Sequence, residues 1–358
     1  MANRIFDLPQ QRGAFQMRGV VSGVERSNFY SEKKTKRGGD FRSVFFQCRT
    51  GKDGAPHNIS LNGMPRDKVY FFRSEDKAKG ITKDKKEVAF KDRNTFVCPD
   101  GYSLVGIHLG LTQKESDGKM LNDKVTMVEY DACKYIADNL KDDQSVFIKG
   151  STEFSSYQGK HQVRFTPNQI SLCAKPIDFN TEDFKESANW EQNMVYTGIQ
   201  FDKELGEAVI SAKIVGYNTI EDAIFYLNPN DSDKVKKLMQ NMKNKLKPYT
   251  SFTASGYMKA VEKVEEVVED DGWGESNAME RQSSPVERKM YITGIDPSTF
   301  DTDTYTEEKM AEAQAKIVAN AQAKADFNGK AKDEKVPFDM DDWGSAAAVS
   351  SDDDDWAE

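Results

Sequence analysis

The sequence predicts a mainly β fold: tandem five-stranded barrels with one short helix each, then a C-terminal helix and a disordered acidic tail. Three observations predict it. Alternation of apolar and polar residues marks short strands in the order three strands, helix, two strands. That order is written twice along the chain. Beyond it the aliphatic pattern stops and Gly, Ser, Ala and Asp runs take over, a composition that cannot bury a core. A chain of 358 residues is long enough for two cores and a tail, and a hydrophobic share of 37% with mean hydropathy of -0.72 implies that part of it never packs.

In the first copy, alternation begins at Phe15-Gln-Met-Arg-Gly19 and runs on towards Arg26. It resumes from Asp40 to Arg49 and recurs from His57 to Asn62. Ala132, Ile136 and Leu140 at four-residue spacing then predict a helix, followed by strands at Val146-Phe-Ile-Lys-Gly150 and Gln162-Val-Arg-Phe-Thr166. Between residues 63 and 130 lies an insert. It opens on a Lys-rich stretch, Lys77 to Lys86, expected to be mobile, and contains apolar runs such as Tyr102 to Leu109 that add strands or a flap.

The second copy starts at Met194-Val-Tyr-Thr-Gly198, continues with strands at Ala208 to Val215 and Ala223 to Leu227, and reaches a helix with Val235, Leu238, Met239, Met242 and Leu246 on one face. Phe252-Thr-Ala-Ser-Gly256 echoes Phe147-Ile-Lys-Gly150, and Lys289-Met-Tyr-Ile-Thr293 is the last strand. The expected divisions are 1–175 for the first barrel, 190–300 for the second with an acidic loop at 265–286, 305–327 for the closing helix and 328–358 for the tail.

Charge is polarised along the chain. Residues 1–100 carry 21 Lys and Arg against 12 Asp and Glu, whereas residues 251–358 carry 11 against 26, within a net charge of -9. Catalysis finds little support: the many Asp residues could hold magnesium as in a nuclease, but most lie in loops or the tail without strand-borne spacing. The three histidines, His57, His108 and His161, are far apart, and no Walker loop, zinc-hydrolase signature or nucleophile elbow is present. Cys48, Cys98, Cys133 and Cys173 lack metal-ligand spacing and are expected as reduced thiols, so no metal and no cofactor is expected. No apolar run reaches the roughly 18 residues that span a bilayer, and the N-terminus lacks a signal-like apolar stretch, so a cytoplasmic protein without a membrane partner is expected.

The best candidate site is in the first copy. The loop from Glu32 to Asp40 carries Lys33, Lys34, Lys36 and Arg37 beside a Gly pair, with Phe29 and Tyr30 at its entrance. Single strands of nucleic acid are held by a cationic groove that follows the phosphates and by aromatic faces on which bases stack. On the strand from Asp40 to Arg49, the set Phe41, Ser43, Phe45, Gln47 and Arg49 mixes aromatic and polar groups and is the expected ligand face; Val44, Phe46 and Cys48 form the other. Arg18 and Arg26 share one parity on the first strand.

Three strands, a helix and two strands is the order of an OB-fold. The run from Val146 to Thr166, with Lys149, Tyr157, Lys160 and Arg164, resembles the fourth strand, aromatic-bearing loop and fifth strand of single-stranded DNA-binding proteins. The acidic tail with an aromatic near its end resembles that family too, including its phage-encoded members. The likeness covers about the first 175 residues and the tail. It departs in the second barrel, the insert, and Trp where the family commonly ends in Pro-Phe. The resemblance implies a protein of a bacterial, phage-infected cell that binds and protects single-stranded DNA during replication, recombination or repair.

Asp341, Asp342, Trp343 and then Asp352, Asp353, Asp354, Asp355 and Trp356 set indoles within acid, as does Trp273 in the acidic loop. An exposed indole suits a partner's hydrophobic pocket with a basic rim. The tail is thus expected to recruit a polymerase, helicase, primase or nuclease, and self-association is a further expectation. The rival readings are an RNA-binding OB-fold protein, since stacking tolerates either sugar, and an acidic interaction or inhibitor protein that mimics nucleic acid.

Overall fold

The computed structural model describes residues 4–35, 38–75, 81–116, 118–157, 160–262 and 286–330. The tail's Asp341, Asp342, Trp343, Asp352, Asp353, Asp354, Asp355 and Trp356, the hairpin's Lys36 and Arg37, and the acidic loop with Trp273 lie outside the described residues.

The first barrel is built from β1 (Gly13–Ser22), β2 (Tyr30–Lys34), β3 (Asp40–Arg49), β4 (His57–Gly63), α1 (Glu129–Asn139), β10 (Ser145–Tyr157) and β11 (Lys160–Leu172). Strand alternation decides its inside: Phe15, Met17 and Val21, then Val44, Phe46 and Cys48, then Ile59 and Leu61 all point inward. β3 pairs with β1 and β4, β10 with β1 and β11, and a parallel contact of β11 with β4, Phe165 beside Ile59, closes the ring. Ala132, Cys133 and Ile136 of α1 plug one end. Burial pushes the Cys48 thiol up to about 12, which leaves it an inert core group.

The second barrel repeats this closure with β12 (Ser187–Asp202), β13 (Glu207–Val215), β14 (Ile220–Leu227), α2 (Asp233–Lys245), β15 (Ser251–Glu262) and β16 (Val286–Asp301), again with one parallel contact, Tyr226 beside Tyr291. Ser232 caps α2, its hydroxyl accepting the Val235 amide. The fold is therefore two tandem OB-fold barrels. The glycines that echo between the copies mark one physical feature, a β-bulge in the fourth strand. A β-carbon at Gly150 would overlap the Thr166 carbonyl, and one at Gly256 that of Tyr291.

The barrels share one sheet and one core. β1 pairs with β12 from Gly13 opposite Gln192 to Arg18 opposite Ser187. Phe154, on the distal part of β10, lies 5.9 Å from Phe225 of β14, and Trp190 packs 5.2 Å from the same ring. The chain's start joins the second barrel, where Phe6 and Leu8 pack with Tyr305, Met310 and Ala313 beside α3 (Glu307–Lys330).

The insert adds strands. β5 (Lys68–Arg73), β6 (Asp84–Ala89) and β7 (Ser103–Leu104) form a three-stranded sheet, and the hairpin β8 (Ile107–Ser116) with β9 (Lys119–Met127) joins β11 through β8. Part of the Lys-rich stretch expected to be mobile, Asp84 to Lys86, is strand, because its alternation pairs with the apolar β5. Arg93 ties this region to α1 by donating two hydrogen bonds to Asp131, at 2.6 and 2.7 Å.

At the β3–β4 turn the barrels touch again. The Ala55 amide donates to the Ala260 carbonyl (3.0 Å), and Thr50 donates to Glu186 (2.6 Å). His57, just behind, is 1% exposed; burial first, and the Arg288 charge second, lower its imidazole from 6.5 to about 4. The unfolded chain takes up this proton as pH falls through 6.5, and the folded protein only near 4. Stability is thus lost across that window, at about 1.4 kcal/mol per pH unit and roughly 3 kcal/mol in all. His57→Leu is expected to flatten this part of the stability profile. Urea denaturation of both proteins through the window checks it, and parallel profiles would refute the assignment.

Candidate nucleic-acid interface

The cationic loop is a hairpin whose lysines are partly on a strand. β2 pairs with β3 from Tyr30 opposite Val44 to Lys34 opposite Asp40. The turn is closed by the Thr35 and Gly38 amides donating to the Gly39 and Thr35 carbonyls (2.8 Å each), with Gly38 at a φ of 80° that favours glycine. Strand placement sends successive side chains to opposite faces, which separates residues that the sequence reading grouped.

One face carries Lys33, Phe41, Ser43, Phe45, Gln47 and Arg49. The Lys33 ammonium lies 5.6 Å from the centre of the Phe41 ring, and Phe41 and Phe45 are half-buried. Across the ladder stand Asn62 beside Ser43, Ser60 beside Phe45, and Asn58, which accepts a hydrogen bond from Gln47 at 3.1 Å. Asn58, Ser60 and Asn62 of β4 are further members of this face, and their signal in the sequence is the alternation from His57 to Asn62. Arg49 stands opposite Val20, whose same-face neighbour is Arg18; Arg18 is opposite Phe147, and Lys149 follows two residues on. Arg18, Arg49 and Lys149 are exposed and form one cationic track from β3 across β1 to β10.

Four candidates fall elsewhere. Phe29 is 6% exposed and belongs to the core, so its face is not offered to a base. Tyr30 and Lys34 lie on the opposite side of the hairpin, which turns Tyr30 towards α1. Tyr30 donates to Glu32 (2.6 Å), Glu32 accepts from Arg42 (2.9 Å), and the Arg42 guanidinium stacks 4.0 Å from the Tyr130 ring. Burial, and then the bond to Glu32, raise the Tyr30 hydroxyl above its ordinary range; the bonds from Tyr30 and Arg42 hold Glu32 below the usual carboxylate value. Arg26 is exposed in a turn, because β1 ends at Ser22 and Gly23 reverses the chain at a φ of 85°.

The distal hairpin of β10 and β11 leaves the first barrel at Arg164, opposite Glu153, and leans on the second barrel through Phe154. Arg164 is half-buried at that departure point; the side chains of Tyr157 and Lys160 lie outside the described residues. Among the described residues no group of three or more His, Cys, Asp or Glu is placed to hold a metal, and no helix is long and apolar enough to cross a membrane.

No curated protein matches the chain. Among solved structures, a deletion variant of the single-stranded DNA binding protein from Thermus aquaticus is similar at 8% identity and a TM-score of 0.34, covering 80% of this chain and 94% of that one. Its wild-type form is similar at 8% identity and a TM-score of 0.33, covering 80% and 93%. The YorF family model matches residues 75–330, most of the chain, and the protein belongs to the YorF family.

Proposed function

We propose that the chain is a non-enzymatic protein that binds single-stranded nucleic acid, DNA in the first place, on the outer face of the first barrel. The observation that carries this reading is the β3 face: two half-exposed phenylalanines with a lysine over one ring, amide and hydroxyl groups alongside, and a track of arginine and lysine leading away. Bases stack on Phe41 and Phe45 while Lys33, Arg49, Arg18 and Lys149 meet phosphates. Binding of this kind coats and protects strands exposed in replication, recombination or repair. The second barrel takes a partner, another copy or extended DNA.

Filter binding with matched single-stranded DNA, single-stranded RNA and duplex tests the reading. Single-stranded DNA is expected to bind tightest. Preference for duplex, or no binding, would overturn the proposal, and preference for RNA would change the ligand while keeping the site. With four cations on phosphates, the logarithm of affinity is expected to fall against the logarithm of salt with a slope of about -3. A flat response would contradict the phosphate track.

The acidic tail, through Trp343 and Trp356, recruits a replication or recombination protein with a basic-rimmed hydrophobic pocket, and it also competes for the cationic face of the first barrel. A truncation ending near Gly329 is expected to bind single-stranded DNA more tightly, most visibly at low salt. Equal affinity of the full and truncated chains at low salt would rule out that competition.

A further inference from the structure

The insert repeats the device of the β3 face on a sheet of its own. Val69 and Phe71 of β5 are buried with Val128 in a small separate core, so alternation turns Tyr70 and Phe72 to the other side, where both are half-exposed. From β6 and the residue before it, lysines reach over these rings: Lys85 lies 4.0 Å from the centre of Tyr70 and Lys83 lies 5.3 Å from that of Phe72. Lys68 joins the same face, where Glu87 accepts from it at 2.9 Å and meets Lys85 at 3.3 Å. Three lysines against one glutamate leave the face cationic. Beside Phe72 opens a groove of about 900 Å³, whose lining sets Phe72, Leu104, Arg73 and His108 beside the acidic Glu75 and Asp100.

We infer that this face is a second stacking platform for single-stranded nucleic acid, distinct from the β3 face and engaged by strands too long for the first barrel alone. The inference rests on the function proposed above. Its chemistry selects that ligand: a π face takes any base, and a lysine resting over the ring swings on its flexible stem to a phosphate when a base displaces it. An acidic partner without flat rings gains from the lysines but not from Tyr70 and Phe72. Connectivity places the platform within reach. The chain leaves β4 at Gly63, opposite Arg42 and one step from the Phe41 end of the barrel, and enters β5 at Lys68. Five residues span at most about 18 Å. The Arg42 guanidinium on Tyr130, and Tyr130 against Phe90 at 6.1 Å, hold the insert at that same end.

The test uses the full chain carrying Tyr70→Ser and Phe72→Ser, with Lys83→Ser and Lys85→Ser as a second, separate variant. Affinity is measured for an oligothymidylate of about 10 nucleotides, within the span of one OB-fold, and for one three times as long. Both variants are expected to bind the short strand as the parent does and to bind the long strand at least about fivefold more weakly, the loss of one stacked base or its phosphates. Unchanged binding of the long strand by both variants would overturn the second platform while leaving the first barrel's role intact. Equal losses at both lengths would also overturn it, since the substitutions would then act through the fold. If the parent itself bound neither strand, the function proposed for the first barrel would fail, an outcome separate from either of these.

Discussion

Replacing Phe41 and Phe45 together by alanine is expected to weaken binding of single-stranded DNA by at least about thirtyfold. Each stacked base is worth about 1–3 kcal/mol, so losing two platforms removes roughly 2–6 kcal/mol. Both rings are half-buried on the outer side of β3, opposite in parity to the core residues Val44 and Phe46, so the barrel is expected to keep its fold. Fluorescence anisotropy with a labelled oligothymidylate, read beside a thermal melt, separates the two effects. An unchanged affinity in a folded variant would show that bases do not stack on this face. Phe29→Leu is the informative contrast: it acts on the core, so its effect is expected in the melt and not specifically in the binding curve.

Trp190→Ala is expected to cost about 3–5 kcal/mol of stability, the range for deleting a large buried aromatic. Trp190 is 3% exposed, packs against Phe225, and donates its indole N–H to the Tyr257 carbonyl at 2.9 Å. Phe225 is also the ring that receives Phe154 from the first barrel, so the cavity opens where the two barrels share their core. Urea denaturation followed by far-UV circular dichroism is expected to show one transition, moved to lower urea. A variant in which half the signal unfolds early and half stays at the parent midpoint would contradict a shared core. Trp190→Phe, which keeps most of the contact and loses the hydrogen bond, is expected to fall between the two.

The repeat was legible because both copies must solve the same geometric problem. The order of strands around the helix, the alternation within them, and even the glycines at positions 150 and 256 follow from closing a five-stranded barrel with a bulged fourth strand. The parity of β3 was legible for the same reason, since burying Val44, Phe46 and Cys48 leaves Phe41, Phe45 and Arg49 outside. The hairpin was not. Residues that read as one cationic loop flanked by aromatics became a paired strand, and pairing with β3 sent Lys33 to one face and Lys34 and Tyr30 to the other. Phe29 went into the core because Phe45 pairs its amide with the Phe29 carbonyl at 2.8 Å, fixing the approach of the segment that precedes β2.

The sequence by itself determined the β class, the doubling of one unit, the inward and outward sets of β3, and the polarity of charge from one end to the other. These are properties of spacing and composition, which a period of two or a run of aspartates expresses locally. Only the tertiary structure decided that β1 pairs with β12, so that two barrels become one sheet, and that the distal hairpin of β10 and β11 reaches to Phe225. It also decided that Arg18, Arg49 and Lys149 line one track. Those outcomes depend on which distant edges find each other, and pairing between residues far apart in the chain is set by the packed whole rather than by any pattern along it.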